Sequence, residues 1–409
     1  MQKRIRIVSV SIILVILLIG IIVMNNNSNN KYSFTQDGIK YALTLDGEKT
    51  TSFPPKGMYK AQVTCVGADG RWLYDEWKLA IENITSDDVT CDINFSTITK
   101  TNLNDYIISL AGSAQGTGQV VNENGYRYEG KNPNNYIWFN NEYWRIIGVF
   151  DSASHGQSNK NLVKIIRADV LDGLAWDKSN TNNWNTSSLK SLLNGAYYKA
   201  EDGTSSGYCY GYGTTATANC DYTKRGIQAG YRRMITSVTW HLGGYSSDSA
   251  TSSAFYGYER GTTVYSGRPT STTGYIGLMY PSDYGYSVLS SSCTRTTNLG
   301  SYNSAKCAGQ SWLYGKGYEW TLTPYSSNSG GVFYLYSDGT LYDGYAGYGY
   351  GSRPVLYLDA SVYKIDGDGS LNNPYIVGMW WICLAWMAGV SAPRGGDNFW
   401  LSKSSGEFL

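Results

Sequence analysis

Two histidines, His155 and His241, are all that this chain of 409 residues offers for general acid–base work near neutral pH. His155 falls in the polar stretch 152–161 and His241 at the end of an expected helix, where a cation suits the dipole; no cluster of carboxylates accompanies either. Asp169, Asp172 and Asp177 are close in sequence, but Gly173 and Trp176 among them read as a surface loop. Gly203-Thr-Ser205-Ser-Gly207 has the letters of a nucleophile elbow. Such a turn needs a strand before it and a helix after it, and this match sits in a polar loop beside Cys209. Asp366-Gly-Asp368-Gly-Ser370 opens like a calcium loop, yet Leu371 stands at the sixth position and Val377 at the twelfth, where Gly and Glu are required. The expectation is therefore a chain with no catalytic residue, no metal and no cofactor. An extracytoplasmic enzyme would need an acid–base or metal constellation that only folding could assemble, and a structural envelope protein is a further alternative.

What the sequence does offer is recognition chemistry. Residues 318–358 read YEWTLTPYSSNSGGVFYLYSDGTLYDGYAGYGYGSRPVLYL, and the interior of that stretch is largely Tyr, Ser, Gly, Asp and Asn. Tyrosine gives a large, stiff, amphipathic contact at low entropy cost, and Ser, Gly and Asn give adaptable hydrogen bonding. A core strand would be rich in branched aliphatics instead. Phe333, Leu335 and Leu341 read as strand core. The expected ligand-binding residues are Tyr325, Asn328, Tyr334, Tyr336, Asp338, Tyr342, Asp343, Tyr345, Tyr348 and Tyr350, with the tyrosines from Tyr334 onward displayed to solvent. The ligand would be a protein or a glycan outside the cell.

The chain that must display these residues carries only 16% charged residues and a formal net charge of +1. No basic patch suggests nucleic acid. Ile7 to Met24 is an apolar run just long enough to cross a hydrocarbon core of about 30 Å. Lys3, Arg4 and Arg6 before it place the N-terminus in the cytoplasm and the bulk of the chain outside. A cleaved signal peptide is the rival reading; the run is long for one, and Asn25-Asn26-Asn27 offers no small-x-small cleavage site. Six of the seven cysteines form local pairs, Cys65 with Cys91, Cys209 with Cys220 and Cys293 with Cys307, and Cys383 is left over. Disulfides suit an oxidising compartment and are favoured over buried thiols, because Cys209 and Cys220 lie in a Gly/Thr/Tyr-rich loop with no core to bury them.

The expected organisation is α+β: residues 1–30 a signal anchor and linker, 31–98 a small antiparallel β-sandwich spacer, 99–377 the large domain, and 378–409 a tail without assigned role. Strand-like runs at 39–45, 59–65, 77–84 and 89–95 build the spacer, with Cys65 and Cys91 placed for a cross-sheet bridge. In the large domain a helix is expected after Thr101, with Leu103, Tyr106, Ile107 and Leu110 on one face. A hairpin is expected over 136–150 turned by Asn140-Asn141, with Trp138, Trp144 and Ile146 inward. A strand follows at 162–167, then a helix capped near Asn185 or Thr186. A second helix is expected over 227–242, stopped by Gly243-Gly244.

This order of hairpin, two helices, Glu319-Trp-Thr321 strand and closing Gly-x-Arg353-Pro-Val-Leu strand resembles the formylglycine-generating-enzyme branch of the C-type-lectin fold. More closely, residues 99–377 resemble a bacterial domain-of-unknown-function family of exported proteins. The marks are Tyr136-Ile-Trp-Phe-Asn-Asn-Glu-Tyr-Trp-Arg145, Glu319-Trp-Thr321, Arg353-Pro-Val355 and Gly367-Asp-Gly-Ser-Leu-Asn-Asn-Pro-Tyr-Ile-Val377. The resemblance implies a C-type-lectin-like domain and, by likeness to variable proteins of diversity-generating retroelements, a late binding segment whose residues vary. Calcium-dependent sugar binding is not implied: Trp184-Asn185 is followed by Thr186, and the other calcium motifs are missing. Oxidase chemistry is not implied either, since no cysteine falls within 318–358.

Overall fold

The computed structural model describes residues 34–36, 39–55, 59–74, 76–315 and 317–379. The expected anchor at 7–24, Cys383 and nearly all of the tail lie outside the described residues. Among the described residues no helix is long and apolar enough to cross a membrane. The architecture is mixed and sheet-rich, 15% helix and 38% strand, with one large sheet curled into a half-barrel.

The first module has a core of its own, made by Ile39, Tyr41, Leu43, Trp72, Ile81, Cys91, Ile93 and Phe95. Its main sheet runs Phe34–Gln36, Ile39–Leu45, Val89–Thr97, Tyr59–Val66, and the hairpin of Asp69–Leu73 with Lys78–Glu82 is a separate two-stranded sheet that shares the same core. Strict alternation in Val89–Thr97 buries Val89, Cys91, Ile93 and Phe95. The sheet is mixed where an antiparallel one was expected: Ile39–Leu45 lies parallel to Val89–Thr97, and the residues between them form the crossover that a parallel pair needs. Cys65 and Cys91 are bonded, but as directly opposed residues of adjacent strands, so the bridge lies within one sheet and does not cross between two.

In the large domain a sheet of 12 strands carries the main core. Its central run is Ile235–Thr236, Val355–Leu358, Leu162–Arg167, Glu142–Phe150, Tyr136–Phe139, Tyr375–Met379, Val362–Asp366. The hairpin forms as the sequence predicts. Asn140 and Asn141 sit at φ 58° and 60°, the left-handed pair a tight primed turn demands, which Asn tolerates. Trp144 and Ile146 are buried, but Trp138 is only half-buried: Ile137 and Phe139 take the inward positions, and Trp138 packs edge-on against Tyr143 at 5.1 Å. The helix Leu103–Ser109 buries Leu103 and Ile107. Helix Ser188–Leu192 is capped by Ser187, whose hydroxyl accepts from Lys190 N, not by Asn185 or Thr186.

The helix expected over 227–242 is a single turn, Ala229–Arg232, followed by strands Ile235–Thr236 and Val238–His241. β-Branched and aromatic residues at Thr236, Val238, Thr239 and Trp240 favour extended backbone. Ile235 and Thr236 complete the ladder on Leu358 and Tyr357. Gly243 is required by close approach: a Cβ there would lie 2.2 Å from Tyr258 O.

A second sheet of five strands runs Gly173–Ala175, Gly349–Gly351, Glu319–Pro324, Gly331–Leu335, Leu341–Tyr345. Two short chain links tie it to the large sheet, 168–172 after Leu162–Arg167 and 352–354 before Val355–Leu358. The second link carries Arg353. Its guanidinium donates from Nε to Glu319 Oε1 at 2.5 Å and from Nη2 to Leu313 O at 2.7 Å, with both charged side chains buried. The two motif ends that bracket the tyrosine-rich stretch are thus joined by one interior ion pair.

Candidate functional site

Residues two apart on a strand face the same way. In the five-stranded sheet and at its strand ends this places Tyr318 with Trp320, Tyr334 with Tyr336, and Tyr348 with Tyr350. The register sets Trp320 opposite Tyr334 and Tyr334 opposite Tyr342, so the rows line up across neighbouring strands. Trp320 is the floor. It is fully buried and its indole N–H donates to Leu174 O at 2.9 Å. Tyr334 and Tyr350 lie against it, each centroid 4.6 Å from the other and Tyr350 4.6 Å from Trp320.

The rings continue outward without a break. Tyr318 stacks on Tyr350 at 5.2 Å and meets Tyr336 edge-on at 4.9 Å; Tyr336 meets Tyr342 at 5.4 Å. On the other side Tyr350 contacts Tyr348 at 5.7 Å, and Tyr348 contacts Tyr345 at 5.8 Å. Gly344 lies beneath this layer, where a Cβ would come 2.9 Å from the Tyr334 ring, so only glycine lets that ring lie down on the strand. Tyr318, Tyr342 and Tyr345 are 41%, 42% and 55% exposed. Tyr336, Tyr348 and Tyr350 are half-buried. Tyr334, expected at the surface, is instead 8% exposed, because it bridges the floor and the outer rings.

Burial, with Tyr350 close by, pushes the Tyr334 phenol well above its ordinary value, and burial pushes Tyr350 up as well. A hydrogen bond with Tyr318 raises Tyr336. These phenols stay neutral at physiological pH, and the layer they form is uncharged, amphipathic and rich in hydroxyls.

The remaining residues expected at the site are not on this layer. Asp343 pairs opposite Phe333, on the other side of its strand, and burial together with Asp248 raises its carboxyl. The Tyr325 hydroxyl donates to Ser246 O, and its ring packs 5.6 Å from Phe333. Asn328 accepts from the backbone N–H of Gly330 and Gly331, and Asp338 from Thr340 N at 2.8 Å and Asn303 Nδ2 at 3.0 Å. Both side chains shape turns. Tyr212, not among the expected residues, is 60% exposed and stacks on Tyr348 at 5.9 Å, 20° between planes. The signal that could have found it is Tyr208-Cys-Tyr-Gly-Tyr212, which repeats the same alphabet at the same spacing.

The residues weighed for catalysis take structural places. His155 is buried on the short helix Ser152–His155, not in a polar loop. Its Nδ1 accepts from Gln157 N at 3.1 Å, so its Nε2–H donates to Phe150 O at 3.1 Å, and burial lowers its pKa. His241 ends a strand, with Nε2 3.1 Å from Ala153 O. Asp177 is buried, not in a surface loop, and accepts from Thr181 N and Oγ1 and from Ser188 N. Asp368 accepts from Ser370 N in a turn. Among the described residues no group of three or more His, Cys, Asp or Glu could hold a metal ion. All three cysteine pairs are bonded. Comparison with protein-family models, curated proteins and solved structures gave no match to this chain.

Proposed function

We propose that the chain is a surface-displayed binding protein whose tyrosine layer docks non-covalently on a partner protein outside the cell. The observation that carries this is the unbroken ring-to-ring layer from Tyr342 to Tyr345, exposed at its outer members and floored by buried Trp320. Stiff tyrosines on a rigid support lose little entropy on binding, and their composition is that of protein-binding surfaces. Cavities of about 290 and 200 Å³ lie elsewhere, lined by residues such as Leu43 and Asn94 or Thr101 and Lys364, and neither includes a ring of this layer. A broad uncharged surface suits a protein patch better than a small molecule.

Around this reading the rest of the chain has a consistent place. Residues 7–24 serve as an uncleaved anchor, 31–98 as a spacer and 99–377 as a C-type-lectin-like domain, with no catalytic role. Three disulfides support an oxidising exterior. Diversification of residues 325–350 by a retroelement belongs to the same proposal.

The test is adhesion. Cells expressing the full chain are mixed with labelled bacterial and epithelial cells, and retention is scored. Tyr342→Ala/Tyr345→Ala should abolish retention while leaving the melting temperature within a few degrees, because both rings are exposed. Protease treatment of the target cells should remove retention and periodate should not; the reverse pattern would assign the layer to a glycan. Retention unaffected by the double substitution would end the proposal.

A further inference from the structure

We propose that residues 207–217, most of them in the loop closed by Cys209–Cys220, form the second half of the recognition face and that this disulfide sets their position on it. The inference rests on the docking reading above and extends it to a part of the chain about 100 residues away in sequence, about a quarter of the chain's length.

Two-residue alternation again sorts the side chains. Tyr208, Tyr210 and Tyr212 alternate with Cys209 and Gly211. Cys209 and Cys220 are 2% and 0% exposed, whereas Tyr208 and Tyr212 are 46% and 60% exposed. The bridge therefore points inward and the tyrosines outward. Strand Tyr210–Tyr212 pairs with Thr215–Ala216 as a small hairpin, and Thr217 N donates to Cys209 O at 3.3 Å.

That hairpin is fastened to the segment that carries Tyr348 and Tyr350. Gly213 N donates to Gly347 O at 2.7 Å, and a Cβ on Gly349 would lie only 2.1 Å from Gly211 O. Only glycine at 349 permits that approach, whereas a Cβ on Gly211 would meet nothing closer than Thr217 Cβ at 3.4 Å. The contact brings Tyr212 over Tyr348, so the ring series runs from one element into the other. At the far end Lys178 Nζ donates to Gly207 O and to the Tyr210 hydroxyl, both at 3.3 Å, and sits 4.9 Å from the Tyr210 ring centre. This half brings a cation beside the ring series. A partner patch with a carboxylate facing Lys178 fits it.

The experiment uses the full chain on cells and the protease-sensitive target cells of the adhesion assay, reading apparent Kd. Tyr208→Ala/Tyr212→Ala should weaken binding about tenfold or more, as loss of aromatic anchors does. Cys209→Ser/Cys220→Ser, and Gly349→Ala, which wedges the two backbones apart, should do the same while every tyrosine remains. Melting curves separate loss of position from loss of fold, and the exposed tyrosine pair decides the matter if the cysteine variant unfolds. Wild-type affinity in Tyr208→Ala/Tyr212→Ala, with affinity lost in Tyr345→Ala, would overturn the inference and leave the docking reading standing. Wild-type affinity in Tyr345→Ala as well would overturn both.

Discussion

Removing Glu319 should unfasten the five-stranded sheet, and the size of the effect follows from what surrounds it. Glu319 and Arg353 are 3% and 5% exposed and joined at 2.5 Å. Burial pushes the Glu319 carboxyl up, and the Arg353 guanidinium opposes that shift. A second guanidinium, Arg145, lies close enough that Arg353 helps burial to depress its pKa to about 10; it rests 3.8 Å over the Tyr136 ring. Glu319→Leu therefore leaves buried Arg353 without its carboxylate, near a second guanidinium that bonds Asn135 and Pro133 instead. Breaking a buried pair costs about 3–5 kcal/mol, whereas replacing both partners by apolar groups of similar size is close to neutral. Urea unfolding followed by far-ultraviolet circular dichroism should place Glu319→Leu in that range. Glu319→Leu/Arg353→Met should recover to within about 1–2 kcal/mol of wild type, a coupling of at least about 1 kcal/mol. A single variant within about 1 kcal/mol of wild type, or a double variant as unstable as the sum of the singles, would refute the idea that this pair braces the sheet.

Burial raises the Glu259 carboxyl from 4.5 to about 7, so between those values the folded state holds more protons than the unfolded one and stability falls as pH rises. Thermal melts of Glu259→Gln should show the variant gaining on wild type from pH 4.5 to 7, by at most about 3 kcal/mol, and no gain would contradict the assignment. Opening the Cys65–Cys91 bridge should cost about 2–4 kcal/mol in the first module alone, whose core is separate from that of the large domain. Calorimetry should then show an early transition with cell retention unchanged. Asn140→Ala forces alanine to φ 58° and removes two side-chain hydrogen bonds, from its Nδ2 to Gly226 O and from Gln228 N to its Oδ1. A loss of about 2–3 kcal/mol in urea unfolding is expected, against little change for Asn141→Gly.

Much of this scaffold was legible where local signals and burial agree. The Asn140-Asn141 hairpin, the strand at 162–167 and the strands of the first module each carry their turn residue or alternation in the sequence itself. The helix expected over 227–242 failed because apolar spacing there fits both periods, and a ladder partner 120 residues away, Val355–Leu358, decided for strand. His155 read as a surface residue from its polar neighbours and Asp177 from Gly173 and Trp176, while both are buried among hydrogen bonds that local sequence does not show. Parallel pairing of Ile39–Leu45 with Val89–Thr97 is likewise a topological fact that alternation alone leaves open. At the site, the outer rings Tyr342 and Tyr345 were readable from composition. Tyr334 was not, since its burial depends on Trp320 and Tyr350 from other strands. Asn328 and Asp338 share the binding alphabet with turn chemistry, so composition could not separate the two uses.

An aromatic layer open to water would ordinarily collapse inward, and the sheet prevents that from below. The side of the sheet opposite the layer is filled by Phe333, Leu335 and Leu341, all at most 1% exposed, and Glu319 spends its charge there on Arg353. On the layer side Trp320 occupies the only fully buried ring position and is tied by its N–H to Leu174 O, so the tyrosines above find their inner contacts already satisfied. Tyr334 is held between that floor and the rings outside it, and Gly344 admits it without displacing the strand. The end rings Tyr342 and Tyr345 are 42% and 55% exposed, and each meets one other ring of the layer, Tyr336 and Tyr348 respectively. Replacement of Tyr342 or Tyr345 thus changes the surface without reaching the floor, whereas replacement of Tyr334 or Trp320 changes the floor and with it every ring above. A face built in this order can change at its rim while its support stays constant.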